Sequence, residues 1–115
     1  MPLFERVRVE IFIPDLPDPA YARLLDELSD ELSYAFGGCS IVSAAGKYRS
    51  FEGAILPDQI TILFTDTPFD WELDQRIVQE NAAHLQTAVR RALPNEEAIL
   101  ICVFPVSHAG YIAAV

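Results

Sequence analysis

The stretch GGCSIVSAAGKYRSFEG, residues 37–53, separates the first predicted helix from a run of predicted strands. Its glycine pair follows residues 24–32, where leucines recur at helical spacing. A phosphate-binding loop instead precedes a helix, so that the helix N-terminus faces the anion. Gly37 and Gly38 are therefore predicted to end the helix, because glycine adopts the left-handed backbone needed there at little cost.

Segments on both sides of this stretch have the periods of strands and helices. Residues 6–13 and 59–66, RVRVEIFI and QITILFTD, alternate along the chain as strands do. A second helix is predicted from Trp71 to Leu93, where apolar side chains recur at helical spacing. Further strands are predicted at 39–45 and 98–106, with residues 46–58 as a long hairpin connection. The predicted order is β-α-β-β-α-β.

This order predicts an α+β fold of the ferredoxin-like type, a four-stranded antiparallel sheet with both helices on one face. The usual strand order is 4-1-3-2. Cys39 and Cys102 then lie on opposite edge strands, roughly 14 Å apart. A disulfide requires Cα atoms within about 7 Å, so we expect two free thiols. A length of 115 residues favours a single domain over residues 1–115.

Composition and charge exclude several classes of function. The formal net charge of -9 argues against nucleic acid and against anionic membrane surfaces as partners. The start, MPLFERVRVE, lacks the basic and apolar regions of a signal peptide. No apolar run reaches the roughly 18 residues of a membrane-spanning helix. We therefore expect an acidic bacterial protein of the cytoplasm.

Candidate ligand-binding residues fall in two regions. A cavity under the open face of the sheet, the face without helices, would be lined by Arg8, Glu10, Thr61 and Thr65. Tyr48 and Arg49 would stand at its rim, where the guanidinium fork suits a small anionic ligand. The alternative is a solvated loop in which Tyr48 covers the edge of the core. Catalytic residues are not identified, and no metal or cofactor is expected, because no cluster of metal-ligand spacing is present.

Strand four, with the apolar run ILICVF from Ile99 to Phe104, does not alternate. An edge strand that is apolar on both faces is an aggregation hazard unless something covers it. We expect a homodimer that buries this strand together with Phe12 and Leu63 on the open face. The alternatives are a ligand or the C-terminal tail, with Tyr111, Ile112 and Val115, folded against strand four.

The element Gly46, Lys47, Tyr48 and Arg49 follows the pattern G-x-[YW]-R. It resembles an element of a small uncharacterised bacterial family of ferredoxin-like architecture. That resemblance implies a fold and no chemistry. The dimeric α/β-barrel enzymes and sensors share the strand order and pair through the open sheet face, which is an analogy of fold alone.

Three functions are consistent with these observations. The first is a small self-associating binding or regulatory module. The second is a cofactor-independent small-molecule enzyme of the dimeric α/β-barrel type. The third is an acidic inhibitor or docking protein for a basic partner, because the first helix carries several acidic side chains, Asp26, Glu27, Asp30 and Glu31.

Overall fold

A computed structural model of the chain describes residues 4–15, 19–94 and 99–109. Its elements are β1 (Phe4–Pro14), α1 (Pro19–Phe36), β2 (Ser40–Arg49), β3 (Ile55–Asp66), α2 (Gln75–Ala92) and β4 (Leu100–His108). The strands form one antiparallel sheet in the order β2-β3-β1-β4. The predicted ferredoxin-like fold and its strand order are confirmed.

The β2–β3 hairpin is longer than predicted. Its connection is residues 50–54, and the predicted loop over 46–58 is wrong, since most of it is paired strand. Gly53 closes the turn with a φ of +86° and donates its N–H to the Ser50 carbonyl at 2.9 Å. Pro57 is tolerated because β1 pairs with β3 only as far as Ile60. At Pro57 the missing N–H removes no bond to a strand on that side.

Both helices end as the sequence predicts, and one begins later. At the C-terminus of α1, Gly37 has a φ of +93° and donates to the Ser33 carbonyl at 2.8 Å. Asp18, the predicted N-cap of α1, lies outside the described residues. α2 begins at Gln75 and not at Trp71, because the Asp70 carboxylate accepts two backbone N–H groups and folds residues 70–73 into a separate turn.

The core lies between the helices and one face of the sheet. β1 contributes its odd-numbered residues, and α1 and α2 each contribute one apolar stripe to the same cluster. The cluster of buried side chains is Val9, Ile11, Ile13, Tyr21, Leu24, Leu28, Leu32, Leu63, Leu85, Val89 and Leu93. Both helices therefore cover the same face of the sheet.

Two further expectations concern the thiols and the membrane. Cys39 and Cys102 are free, as predicted; Cys102 lies on the edge strand β4, whereas Cys39 directly precedes the opposite edge strand β2 and is not part of it. Within residues 4–15, 19–94 and 99–109, neither helix has the length and hydropathy needed to cross a membrane.

The buried bond between Tyr21 and Thr61 provides a test of the helix-facing layer. The Tyr21 hydroxyl donates to Thr61 Oγ1 at 2.7 Å. Tyr21→Phe would leave the threonine without this partner, and we expect a loss of about 1–2 kcal/mol in the free energy of unfolding. Urea denaturation measures this loss. Tyr34→Phe is the matched control, because Tyr34 is 92% exposed. Equal midpoints for both variants would contradict this account.

Candidate functional site

The open face consists of the even-numbered residues of the four strands. Strand pairing aligns Arg8 with Asp66 on one side and with Phe104 on the other, so these side chains share the face opposite the helices. The apolar residues of this face are Phe12, Val42, Ala44, Leu56, Ile60, Ile62, Phe64, Leu100, Cys102, Phe104 and Val106. They extend across all four strands of the sheet.

The two faces of β3 are the reverse of those expected from the sequence. Ile60, Ile62 and Phe64 lie on the open face, whereas Thr61 and Thr65 lie buried beneath the helices. The expectation that both threonines line the open face is therefore wrong. Their hydroxyls are used within the helix-facing layer, Thr61 by Tyr21 and Thr65 by donation to the Gly38 carbonyl at 2.7 Å.

Leu63 also lies on the helix-facing side. The sequence predicts it in the contact on the open face, but it is fully buried in the core, so this expectation is wrong as well. Alternation along β3 separates the two sets of side chains and does not say which set faces the helices. The distinction comes from hydroxyl partners that are remote in sequence.

One corner of the open face is charged. Arg8 donates two hydrogen bonds to the Asp66 carboxylate, from Nε to Oδ1 at 2.7 Å and from Nη2 to Oδ2 at 3.0 Å. The same guanidinium stacks over the Phe64 ring, 4.7 Å from its centre. Hydrogen bonding from Arg8 lowers the pKa of Asp66, and the partial burial of the carboxylate opposes this shift. The same hydrogen bond raises the pKa of Arg8, so both groups stay charged at neutral pH.

Glu10 and His108 complete this corner. The Glu10 carboxylate lies 3.9 Å from the Arg8 guanidinium, and His108 Nε2 lies 3.3 Å from Asp66 Oδ2. We call Arg8, Glu10, Asp66 and His108 the charged corner. The predicted neighbourhood of Arg8 and Glu10 is present, but both carboxylates already engage Arg8. The guanidinium group of Arg8 is therefore already paired with the Asp66 carboxylate of the same chain.

The other two predicted ligand-binding residues lie far from this corner. Tyr48 and Arg49 pair with Leu56 and Ile55 near the tip of the β2–β3 hairpin. Along β3, Ile55 and Asp66 are eleven positions apart, which corresponds to roughly 36 Å at the rise of an extended strand. Tyr48 and Arg49 thus do not form the rim of a site that contains Arg8 and Glu10.

The distal part of this hairpin projects from the sheet. On the N-terminal side of Ile60, β3 is no longer paired with β1, except for one hydrogen bond from the Asp15 N–H to the Gln59 carbonyl at 2.8 Å. We call residues 45–59 the hairpin arm. Its large apolar residues are exposed, with Phe51 at 97% and Ile55 at 70%. A two-stranded hairpin without a packed face is marginal in water, so the arm is suited to contact another surface.

An open concavity of about 310 Å³ lies beside the charged corner. Its walls come from the end of α1, the start of β2 and the end of β3, and it is lined by Phe36, Gly37, Gly38, Cys39, Ser40, Phe64, Thr65 and Asp66. Burial raises the pKa of the Cys39 thiol, so this group is a poor nucleophile at neutral pH. Within the described residues, no three His, Cys, Asp or Glu side chains are placed so that they could hold a metal ion together.

Reasoning from the sequence misses Asp66 and His108. The local pattern places Asp66 at the end of a strand and leaves His108 isolated near the C-terminus. Strand register places Asp66 beside Arg8, and the packing of the strands brings His108 to Asp66. A period of two does not reveal register. The available signal in the sequence is that β1, β3 and β4 each carry a charged or titratable residue at an even-numbered position, which places these residues on one face of the sheet.

Known proteins resemble this chain in structure and not in sequence. No protein-family model matches the chain. No curated protein matches it either. Solved structures do match, and three of them illustrate the likeness.

The divalent cation tolerance protein CutA1 from Thermus thermophilus has a TM-score of 0.57 and 18% identity over 93% of this chain and 88% of that chain. A duf3240 family protein from Shewanella baltica has a TM-score of 0.53 and 15% identity, over 94% of this chain and 98% of that chain. A phage SAM lyase in complex with S-methyl-5'-thioadenosine has a TM-score of 0.58 and 13% identity, over 93% of both chains. At these identities the likeness concerns the fold alone.

These structures support the expected resemblance to small ferredoxin-like proteins. They do not bear on the G-x-[YW]-R element, which stays a prediction. In this chain its residues Gly46, Lys47, Tyr48 and Arg49 belong to β2 and not to a loop. A tolerance protein and a lyase share the fold, so the fold does not select an activity.

Asp66→Asn tests the ion pair of the charged corner. The pKa of Asp66 is lowered from its ordinary value of 3.8 in the folded chain. The carboxylate therefore stabilises the fold above that value, and this contribution is lost as the pH falls through the folded pKa. We expect the variant to be less stable than the wild type at pH 7, with the difference shrinking below about pH 4.

Urea denaturation at several pH values measures this difference, with the exposed Asp30→Asn as the matched control. A loss for Asp66→Asn that is the same at pH 3 and pH 7 would argue against an ion pair. Asp30→Asn is expected to change stability little at either pH, because surface charges contribute little.

Proposed function

We propose that the chain is a small self-associating binding module whose open face packs against a further copy of the chain. The observation that carries this proposal is the orientation of β3. Its large apolar side chains, Ile60, Ile62 and Phe64, point away from the helices, while two threonines point toward them. A sheet with one face in water favours the reverse arrangement.

The charge distribution favours a second copy as the occupant of this face. With His108 neutral, the open face carries two arginines, Arg6 and Arg8, and three carboxylates, Glu10, Asp58 and Asp66. Its formal charge is therefore -1 out of the chain's -9, which leaves -8 for the rest of the chain. Two copies approach with least repulsion through this face, because like charges elsewhere oppose contact.

The size of the open face also suits a stable contact. Four strands at about 4.8 Å spacing and roughly 30 Å of strand length give a flat area of about 570 Å² per copy. Two copies would bury about 1,100 Å², which meets the approximately 1,000 Å² expected of a specific interface. A closed two-fold dimer is the simplest assembly that buries the same face on every copy.

The hairpin arm extends this surface. Tyr48 and Leu56 lie opposite each other and on the same side of the sheet as Val42 and Ile62. A copy packed on the open face could therefore also contact the arm. Such contact would supply the apolar cover that a two-stranded hairpin needs.

Leu100→Glu tests the self-association. Leu100 is 57% exposed in the single chain, so a glutamate there is tolerated by the fold but is unfavourable in an apolar interface. We expect the dissociation constant to rise at least tenfold, measured by sedimentation equilibrium at micromolar concentrations. A tenfold change corresponds to about 1.4 kcal/mol.

Leu73→Glu is the matched control for this variant. Leu73 is 86% exposed and lies in the connection between β3 and α2, outside the open face. It adds the same negative charge, so it should leave the dissociation constant nearly unchanged. A strict monomer in the wild type would contradict the proposal and favour cover by the C-terminal tail, whose Tyr111, Ile112 and Val115 lie outside the described residues.

A second candidate is a cofactor-independent small-molecule enzyme, which is favoured by the concavity beside Asp66. It offers an ionised carboxylate and the Ser40 hydroxyl next to the Phe64 ring. S-methyl-5'-thioadenosine, the compound named with the lyase neighbour, is a direct probe. Binding would shift the amide NMR signals of Cys39, Ser40 and Phe64 and spare that of Gly53 in the hairpin arm. Unchanged signals at all four positions would remove this probe as a ligand.

The remaining expectations stay predictions. A small anionic ligand at Arg8 would have to displace Asp66, so we do not extend that hypothesis to the charged corner. Binding of a basic partner by the acidic residues of α1 is untested, as is the cytoplasmic location. The single domain over residues 1–115 is likewise carried forward as an expectation.

A further inference from the structure

His108 occupies an unusual position in the charged corner. It lies at the end of β4, on the open face, with its side chain 35% exposed. Its Nε2 atom is buried and makes no hydrogen bond within the described part of the chain, although Asp66 Oδ2 is only 3.3 Å away. The direction between the two groups is unfavourable for a hydrogen bond. The interaction is therefore mainly one of charge, and it depends on whether the imidazole is protonated.

The groups that face His108 come from three strands. From β3 there is the Asp66 carboxylate. From β1 the open face presents Arg6, Arg8 and Glu10, and from β4 itself the titratable group on this face is the Cys102 thiol. The arginines oppose a positive imidazole, whereas the carboxylates favour it. The Asp66 carboxylate is within ion-pair distance of the imidazole, with Oδ2 3.3 Å from Nε2.

Protonation of His108 would change the net charge of the open face from -1 to zero. A face that is being removed from water is unfavourable if it keeps an uncompensated charge, because desolvation raises the free energy of that charge. Arg8 pairs with Asp66 and also lies near Glu10, so a single guanidinium serves two carboxylates. Within the charged corner, a protonated His108 would supply a second cation beside Arg8 when water is excluded from the face.

We infer that self-association of this chain is coupled to protonation of His108, so that copies associate more tightly at lower pH. This inference rests on the proposed packing of the open face against a further copy. The pKa of His108 is then higher in the assembly than in the single chain. Association is favoured below the pKa of the assembled state and weakens as the pH rises through it.

Histidine is the side chain whose charge ordinarily changes between about pH 5 and 8, so the coupling is sought in that range. Between about pH 5.5 and 7.5 the dissociation constant of the wild type should rise about tenfold, because each copy contributes one histidine that binds its proton more tightly in the assembly. Sedimentation equilibrium of the full chain at both ends and the middle of this window, at one ionic strength, measures this rise.

The chain has two histidines, and this provides a matched control. His84 lies on α2, where its Nε2 is 3.0 Å from Glu31 of α1, away from the open face. His108→Gln should abolish the pH dependence in this window, and His84→Gln should preserve it. Retention of the dependence in His108→Gln, or its loss in His84→Gln, would overturn the inference.

A second measurement does not depend on any variant. The His108 ring signals can be titrated by NMR at concentrations below and above the dissociation constant. The inference requires a higher pKa in the concentrated sample. Association with a dissociation constant that does not vary with pH, and an unchanged His108 pKa, would overturn the proton coupling alone. A single-chain mass at every pH and concentration would overturn the proposed self-association as well.

Discussion

Two helices cover one face of a four-stranded sheet, and every other feature of this chain depends on what that leaves uncovered. On the covered face the odd-numbered residues of β1 pack into a core with apolar stripes of α1 and α2. On the open face the sheet carries an apolar surface that extends across four strands. A chain of this size cannot bury both faces with two helices. The open face is therefore the natural place for an interaction.

The charged corner places charged groups in fixed positions at one end of this apolar surface. Arg8 is held by two hydrogen bonds to Asp66 and by stacking over Phe64, so its position is fixed before any partner arrives. Fixed charges within an apolar surface add little to stability but restrict which registers of contact are acceptable. The corner is thus suited to orient the proposed self-association, for which apolar burial would be the driving force.

The sequence predicts the fold well and the site poorly, for a physical reason. Alternation in β1, helical spacing in α1 and the glycines after Phe36 are local signals, and each is sufficient to predict its element. The side of β3 that faces the helices depends instead on partners that are remote in sequence, because Tyr21 and the Gly38 carbonyl use the threonine hydroxyls of β3.

The charged corner and the hairpin arm escape prediction for related reasons. Strand register places Asp66 beside Arg8 and His108 within reach of Asp66, and no local pattern encodes this register. A loop over residues 46–58 would bring Arg49 near the open face, whereas the paired strands carry it to the tip of a long arm. Local signals thus predict elements, and contacts between distant residues decide which side chains meet.

The most direct measurement of the central claim is an isotope-filtered NOE experiment on a mixture of labelled and unlabelled chains, because it records contacts between copies only. Packing through the open face predicts NOEs between chains for Ile62, Leu100 and Phe104, and none for core residues such as Leu28. NOEs between chains that involve only the exposed surfaces of the helices would contradict it, as would a single-chain mass by light scattering at every concentration tested.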